Sequence, residues 1–469
     1  MSRRSPLLVA SMALAVAGGC ATGPNYKRPS LPMPESFYGA SRVDEARVVA
    51  EAAWWGVFAD PVLTALVEEA LRDGFDARLA AARVEEARAR FGIARADFYP
   101  SISYAGGWQR GRADQLVNPD GTKQTRWRAD VGFSWELDLW GRIRRLNEAA
   151  RAQFLATEEA QRGVLLSLAS EVAVAYLELR ELDAELEISR RTAAAFQDTY
   201  ALFNRRLEGG AASALETARA EAALGEVAAQ IPEIERAIVA RENQLNFLLG
   251  RSPQEISREA AATPLPPDVP PGLPSALLER RPDVRQAEQL LVAANAGVGA
   301  AKAEFFPRLS LTGLFGNASS ELDQLFSQGT TWSIGAGLLG PLFQGGRIKR
   351  GQEAAIARFE QARVQYEATV VNALGEVSSA LVDRSMLVET ERQRGRAVTA
   401  LLEAVRLANL RYNSGRSAYF EVLEAQQQLF PAELALARTR RDQRVAVVNL
   451  YRALGGGWPA DAPEGGGLP

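Results

Sequence analysis

The chain has 469 residues, a formal net charge of −3 and 47% hydrophobic residues, so it has no basic surface for phosphate groups and we expect no nucleic-acid partner. It contains no histidine, which removes the usual general base, the usual zinc ligand and every Ser/His catalytic pair. Because no glycine-rich phosphate loop is present either, we expect no enzyme activity, no catalytic, cofactor or metal site, and no cofactor.

The first 20 residues resemble the signal of a bacterial lipoprotein. Arg3 and Arg4 supply positive charge, an apolar stretch runs from Leu7 to Ala17, and small residues precede Cys20. The pattern predicts a signal peptide over residues 1–19 and an acylated Cys20 that begins a lipid-anchored segment over residues 20–60. Ordinary cleavage beside an unmodified cysteine is the alternative. No aspartate follows Cys20, which favours the outer membrane.

The rest of the sequence contains two copies of one repeating unit. The segment FGIARADFYPSIS at residues 91–103 returns as VGAAKAEFFPRLS at residues 298–310, and Gly141-Arg142-Ile143 returns at residues 346–348. An offset near 205 that persists through different elements indicates an internal duplication. A proline-rich linker at residues 263–274 separates a first repeat, residues 61–262, from a second, residues 275–455. A tail follows at residues 456–469.

In each repeat, the sequence pattern predicts a helix followed by two strands. Apolar and polar or small residues alternate over about 100–112 and 127–140, and again over about 307–318 and 330–343, which is the period of a strand. No segment after the signal has the roughly 20 apolar residues of a membrane helix, so any crossing must use strands. A soluble sandwich hairpin would alternate in the same way. Four strands in two isolated hairpins cannot cover their own edges, however, so several copies must contribute.

A very long helix and a shorter one complete each repeat, at residues 142–208 and 213–249 and at residues 346–413 and 417–454. The first long helix has apolar residues spaced three and four apart, which predicts a coiled coil. These positions are Leu165, Leu168, Val172, Ala175, Leu179, Leu182, Leu186, Ser189, Ala193, Phe196, Tyr200, Phe203 and Leu207. Such a helix is roughly 100 Å long, at about 1.5 Å per residue.

Six segments together resemble the TolC-like outer-membrane efflux proteins, in particular their lipidated NodT/OprM-like branch. They are GPNYKRP after Cys20, WWGVFADPVLTALVEEAL at residues 54–71, FSWELDLWGRIRR at 133–145, LLERRPDVRQAE at 277–288, AKAEFFPRLSLTG at 301–313 and RYNSGRSAYFEVLEAQ at 411–426. Each segment is weak evidence alone. The set covers nearly the whole mature chain and is specific.

The resemblance implies an α+β membrane protein that forms a homotrimer. Three chains would contribute four strands each to a twelve-stranded outer-membrane β-barrel, continued into the periplasm by an α-helical barrel of coiled coils with a mixed equatorial domain. Anchored to outer-membrane lipid through acylated Cys20, this channel would passively conduct small molecules. A periplasmic adaptor (membrane fusion) protein and an inner-membrane RND-type transporter are the implied partners.

The resemblance also implies two sets of functional residues at the periplasmic end. The adaptor would contact the helix turns Gly209, Gly210, Ala211, Ala212, Ser213, Ser414, Gly415, Arg416 and Ser417, which otherwise serve only as helix caps. A periplasmic gate would include Tyr412, Glu421 and Glu424, with Glu216 as the repeat mate of Glu421. Ser417 stands where a gate arginine can occur, and an ordinary solvated helix face is the alternative for the glutamates.

In the second strand, Glu136 and Asp138 alternate with apolar residues and are expected to face the barrel lumen. The reason is that a lipid-facing charge costs roughly 2–4 kcal/mol for Arg or Lys near the midplane, and less for a carboxylate. Two other functions fit parts of the sequence: the outlet of a type I protein secretion system, and a periplasmic lipoprotein scaffold that never inserts. A third alternative, a hydrolase that uses carboxylates, has no pocket motif to support it.

Overall fold

The computed structural model describes residues 21–38, 53–112, 123–258, 265–266, 274–327 and 329–456. Cys20, the signal peptide, most of the linker and the C-terminal tail lie outside these ranges. The helices are α1 (Pro61–Asp73), α2 (Phe75–Ala96), α3 (Arg142–Glu208), α4 (Ala214–Leu248), α5 (Leu277–Arg280), α6 (Pro282–Ala303), α7 (Arg347–Asn413) and α8 (Tyr419–Ala453). The strands are β1 (Ser101–Arg112), β2 (Lys123–Leu137), β3 (Arg308–Ser319) and β4 (Thr330–Leu339).

The four strands form one antiparallel sheet in the order β1-β2-β3-β4. The expectation of two isolated hairpins is therefore wrong, because β2 pairs with β3 from Trp127 opposite Ser319 to Leu137 opposite Leu309. This pairing joins the two repeats and protects the inner edge of each hairpin. The outer edges of β1 and β4 have no partner strand among the described residues.

The two hairpins have the same register. Ser103 lies opposite Gly132 in the first hairpin, and its repeat mate Ser310 lies opposite Gly337 in the second. The two strand endings differ from the sequence expectation: β2 ends at Leu137 and β4 at Leu339. Pro341 follows β4 and has no amide proton to donate to a ladder.

The chain divides into two compact units. One contains residues 21–30, 83–158 and 286–367, and the other contains the described parts of residues 31–82, 159–285 and 368–456. The first unit therefore holds the whole sheet. The second holds both turns that connect the long helices to the shorter ones. Among the described helices, none contains an apolar stretch that could span a lipid bilayer.

In the first unit, residues 21–28 form an N-terminal strap that is bonded along its length. Thr22 donates its amide to the Trp140 carbonyl (3.0 Å) and its hydroxyl to the Gly299 carbonyl (3.0 Å). Further along, Arg28 makes a bidentate ion pair with Glu288 of α6, with nitrogen–oxygen distances of 2.7 and 2.8 Å. The strap is thereby fixed both to the end of the β2 segment and to α6.

The core of the second unit is centred on the tryptophan pair that precedes α1. Trp54 is 1% exposed, and its ring stacks on Tyr451 with centroids 5.7 Å apart. Asp60 caps α1 by accepting from the amides of Val62 and Leu63. The buried Asp60 carboxylate also accepts from the Tyr176 hydroxyl at 3.2 Å, which ties α1 to α3.

The heptad positions of α3 line this core and a second one. Val172 and Leu179 are fully buried in the first core, whereas Phe196 and Phe203 belong to a cluster near the helix turns. Ser189, the polar heptad member, is 0% exposed and its hydroxyl has no hydrogen-bond partner. The heptad positions of this helix are thus buried or half-buried from Leu165 to Phe203, whereas Leu207 near its end is 37% exposed.

Candidate functional site

The first helix turn connects α3 to α4 through a glycine in the left-handed conformation. Gly210 has φ = 72°, and the Ala211 amide donates to the Arg206 carbonyl at 2.7 Å, which closes the C-terminal cap of α3. A capping box then begins α4, in which Ser213 and Glu216 bond each other's backbone amides. The Glu216 carboxylate therefore accepts a hydrogen bond from the Ser213 amide at the start of α4. Its expected role at a gate stays a prediction.

The second turn repeats this geometry with one difference. Gly415 has φ = 69°, and the Arg416 amide donates to the Arg411 carbonyl at 2.9 Å. Ala418 replaces the serine of the first turn and provides no side-chain cap for α8. Glu421 therefore does not take part in a capping box. Its carboxylate forms an ion pair with Arg411, at 3.2 Å between Nε and Oε2.

Tyr412 connects the two repeats at the turns. Arg206 of α3 donates to the Tyr412 hydroxyl, and its guanidinium lies 5.5 Å from the centre of that ring. The ring also meets Tyr419 edge to face, with centroids 5.1 Å apart. Tyr419 in turn shares a hydrogen bond of 2.7 Å with Thr199. The sequence analysis identified Tyr412 but missed Arg206, Tyr419 and Thr199. The duplication could have indicated Arg206, the repeat mate of Arg411.

The other predicted residues of the turns are less constrained. Glu424 is exposed on α8, and Arg416 lies in the turn rather than on a helix. The Ser417 hydroxyl is buried without a hydrogen-bond partner. Gly210 and Gly415 both have open space where a side chain would begin. The turn surfaces therefore present backbone and small side chains, except at Arg416.

Asp138 is not a strand residue, because β2 ends one residue earlier. Its carboxylate accepts from the amides of Ile143 and Arg144 at 3.0 and 2.9 Å, which satisfies the first turn of α3. Glu136 lies within β2 and forms a bidentate pair with Arg142, at 2.9 Å for each bond. The expectation that Asp138 lies on a strand is thus wrong, because it caps a helix, whereas its expected place at the lumen stays a prediction. For Glu136 the lumen-facing side stays a prediction.

The outer strands expose both of their faces. Every residue of β1 and every residue of β4 is exposed, although these strands are rich in large apolar side chains. Tyr104, Trp332 and Ile334 are 90%, 72% and 81% exposed. Contiguous apolar surface of this kind on one chain indicates contact with lipid or with another copy.

A cluster of charged groups lies between α3 and α8 in the second unit. Glu181 and Glu185 are 8% and 4% exposed, and Arg438 pairs with Glu185 at 2.5 Å. Arg441 approaches Glu181 at 3.6 Å. Burial, followed by the hydrogen bond and charge of Glu185, raises the pKa of Glu181 to about 7, although both arginines oppose this shift.

We expect Glu181→Gln to flatten the pH dependence of stability. A carboxyl whose pKa rises on folding contributes stability that is complete below the unfolded pKa of 4.5 and is lost as pH rises to about 7. Between pH 5 and pH 8, the free energy of unfolding of the wild type should therefore fall by on the order of 1 kcal/mol more than that of the variant. Thermal unfolding of the detergent-solubilised protein at the two pH values measures this. Glu171→Gln, at an exposed position of α3, should retain the wild-type difference, and equal losses in Glu181→Gln and wild type would contradict the prediction.

The described residues place this chain in a class of proteins built from two equivalent repeats, each with two strands followed by a long helix and a shorter one. Comparison with known proteins identifies the family. The protein-family model described as "Outer membrane efflux protein" matches residues 66–251 and again residues 273–456, once for each repeat. The chain belongs to this family and is an outer-membrane efflux protein.

Individual relatives match over almost their whole length. Outer membrane protein OprJ of Pseudomonas aeruginosa is 36% identical over 97% of this chain and 97% of its own. The solvent efflux pump outer membrane protein SrpC of Pseudomonas putida is 35% identical over 95% and 97%. A solved structure of a membrane protein from Pseudomonas aeruginosa superposes with a TM-score of 0.87, at 35% identity, over 95% of this chain and 99% of that one.

Proposed function

We propose that three copies of this chain form a passive outer-membrane duct that releases small molecules delivered by an inner-membrane pump. The observation that carries the proposal is the four-stranded sheet, whose outer strands are exposed at every residue and whose two edges lack a partner strand in the described part of the chain. Unpaired strand edges are costly in a bilayer, and closing several sheets into one barrel removes them. Conduction through the duct is passive, so the inner-membrane pump supplies the energy for transport.

Small molecules are the favoured cargo. The SrpC relative is named as part of a solvent efflux pump, and it aligns over nearly the full length of this chain. The resemblance to the NodT/OprM-like branch supports an RND-type transporter as the inner-membrane partner, with a periplasmic adaptor between the two. A type I protein secretion outlet has no comparable support among the relatives described above.

The adaptor is proposed to dock on the two helix turns. Gly210 and Gly415 leave open space at their Cα atoms, so another helix could approach the backbone closely. Leu215 and Phe420, which are repeat mates beside the turns, are 60% and 51% exposed. Small residues flanked by exposed apolar side chains suit a helical partner with a complementary apolar face.

The gate is proposed to close through the two links made by arginines at these turns. Arg206 holds Tyr412, which connects the first repeat to the second, and Arg411 holds Glu421 across the second turn. In a closed trimer these links would keep three copies of the second hairpin near the axis, with Glu424 contributing negative charge. Breaking both links should let the hairpins move apart.

Lipid attachment at Cys20 is the remaining part of the proposal. The residue that follows it, Ala21, lies against Gly141, where a side chain at the glycine would come within 2.7 Å of the Ala21 Cα atom. Gly141 directly precedes α3, just after the β2 segment. An acyl chain on residue 20 would therefore begin beside the strands that we propose to be in the bilayer.

Single-channel recording in planar bilayers tests the duct and its gate together. The double variant Tyr412→Phe/Glu421→Gln removes the hydroxyl and the carboxylate charge while preserving side-chain shape. We expect its conductance to be several-fold higher than that of the wild type, which should remain mostly closed.

The matched control is Glu360→Gln, which breaks an exposed ion pair with Arg363 on α7 and should leave conductance unchanged. Equal, low conductance in the wild type and the double variant would contradict the gate assignment. Complete absence of conductance in every variant would contradict the duct.

A further inference from the structure

One face of the first hairpin is an apolar band that ends in an aromatic pair. Alternate residues of a strand share a face, and so do cross-strand partners, so Trp108 lies on the same face as Trp127 and Leu137. The Trp108 and Trp127 rings have centroids 6.0 Å apart. From Trp127 to Leu137 the strand covers roughly 34 Å at about 3.4 Å per residue. A tilt of about 40° reduces this to roughly 25 Å, the height of a lipid-facing band.

The tryptophan pair marks the end of this band that lies away from the helices. β1 begins shortly after α2 and β2 ends shortly before α3, so the connection between β1 and β2 is at the opposite end of the hairpin. Tryptophan favours the boundary between hydrocarbon and headgroups. With the helices in the periplasm, as proposed above, the residues beyond Trp108 and Trp127 lie at the headgroups of the outer leaflet.

Three exposed cations continue the same face beyond the tryptophans. Arg110 and Arg112 follow Trp108 at alternate positions of β1, and Lys123 lies directly opposite Arg112. Such partners have Cβ atoms about 4.5–5.5 Å apart, and like charges placed there destabilise a strand pair. No carboxylate of the described residues is paired with any of the three. An anion bound between them would remove this repulsion.

The second hairpin has no equivalent charge, although it has the same register. The repeat mates of the three cations are all neutral, at Asn317, Ser319 and Gln328. Over residues 108–128 the sequence has five cations and two carboxylates, whereas residues 315–333 have two carboxylates and no cation. The strand fold therefore does not require these cations, and they are a property of the first hairpin alone.

We propose that Arg110, Arg112 and Lys123 bind the phosphate groups of lipid headgroups in the outer leaflet. The inference rests on the proposed duct and identifies the lipid chemistry that its first hairpin recognises. Guanidinium groups bind two phosphate oxygens at once, and an ammonium group adds a point charge. A lipid also provides acyl chains for the apolar band below the cations, whereas a free phosphate ion would contact the cations alone.

A phosphate monoester should be the preferred headgroup, because it carries about −1.5 to −2 charges near pH 7. We would titrate the purified full-length protein in detergent with dioleoyl phosphatidic acid or with dioleoyl phosphatidylcholine, and measure bound lipid by native mass spectrometry. The variant Arg112→Gln/Lys123→Gln removes the opposed charges. Arg126→Gln is the matched control, since Arg126 is exposed on the opposite face of the same hairpin.

Wild type and Arg126→Gln should bind phosphatidic acid several-fold more tightly than phosphatidylcholine. Arg112→Gln/Lys123→Gln should bind phosphatidic acid roughly tenfold more weakly than wild type, because each cation near an anionic lipid surface contributes a several-fold factor. Its binding of phosphatidylcholine should be unchanged. Inorganic phosphate in excess should displace little of the bound phosphatidic acid, since it has no acyl chains.

The second hairpin allows the complementary test, by gain of binding. Asn317→Arg/Ser319→Arg adds cations at the repeat mates of Arg110 and Arg112, and should raise the binding of phosphatidic acid several-fold. This result does not depend on how well the charge-removal variant folds.

Equal binding of phosphatidic acid by wild type and Arg112→Gln/Lys123→Gln would overturn the inference. An equal loss in Arg126→Gln would also overturn it, as would displacement of the lipid by inorganic phosphate. If one of these occurs while Tyr412→Phe/Glu421→Gln conducts in phosphatidylcholine bilayers, the lipid site fails and the duct stands. Absence of conductance together with binding of neither lipid would overturn both.

Discussion

Replacing Gly299 by alanine is expected to displace the N-terminal strap. A Cβ atom at residue 299 would lie 2.6 Å from the Thr22 carbonyl oxygen and 2.9 Å from Nε of Arg145. The first of these is backbone, which has no rotamer by which to withdraw, so the strap or α6 must shift. We expect a loss of about 2 kcal/mol in the free energy of unfolding, within the usual range for overpacking.

The duplication provides the control. Gly92 is the repeat mate of Gly299 and has nothing within 4 Å of the same position. Gly92→Ala should therefore stabilise α2 by about 1 kcal/mol, because alanine favours helix over glycine. The same substitution at equivalent sites should thus have opposite effects.

Limited trypsin digestion reports the strap directly. Lys27 lies within it, two residues after Asn25, whose side chain accepts from Arg145 at 2.8 Å. Cleavage after Lys27 should be slow in wild type and in Gly92→Ala, and fast in Gly299→Ala. Equal protection of Lys27 in all three proteins would show that close packing at Gly299 does not hold the strap.

Trp54→Ala is expected to have the largest effect on the stability of the second unit, a loss of about 3–5 kcal/mol. The Trp54 ring is almost fully buried, stacks on Tyr451 and meets Phe58 edge to face. Removing it leaves a cavity that rigid neighbours on α1 and α8 cannot fill. Chemical unfolding in detergent at one fixed protein concentration gives the difference in free energy.

Phe247→Ala is the comparison for Trp54→Ala. Phe247 lies on α4 of the same unit and is 63% exposed. Its removal should cost less than about 1 kcal/mol, since surface substitutions away from special features have small effects. Similar losses for the two variants would mean that the Trp54 cluster is not a principal core of this unit.

Much of the architecture could be predicted from periodicity. The change from alternation to heptads after Gly141 indicated a strand followed by a long helix, and the strand-to-helix order recurs after Gly346. Residues 61–96 were harder, because they form two helices that separate at Gly74. There a Cβ atom would lie 2.4 Å from the Ala70 carbonyl oxygen and 2.8 Å from that of Leu248. The second of these contacts comes from α4 and has no sequence signature.

The functional residues were less predictable because their partners are distant in sequence. The family resemblance implied a gate role for Glu421, and the duplication extended it to Glu216. In the structure Glu216 completes a capping box, whereas Glu421 pairs with Arg411. A single difference, Ser213 against Ala418, separates the two. Asp138 similarly continues a strand pattern, but it bonds the first amides of α3.

The duplication, the order of strands and long helices, and the apolar face of α3 were predictable because they depend on patterns within one stretch of chain or on its repetition. Three contacts were visible only in the folded chain: β2 pairs with β3, the strap packs against Gly299, and Arg206 contacts Tyr412. Each of these contacts joins residues more than 100 positions apart. Such pairs are selected by close packing and hydrogen-bond geometry, and no local pattern records them.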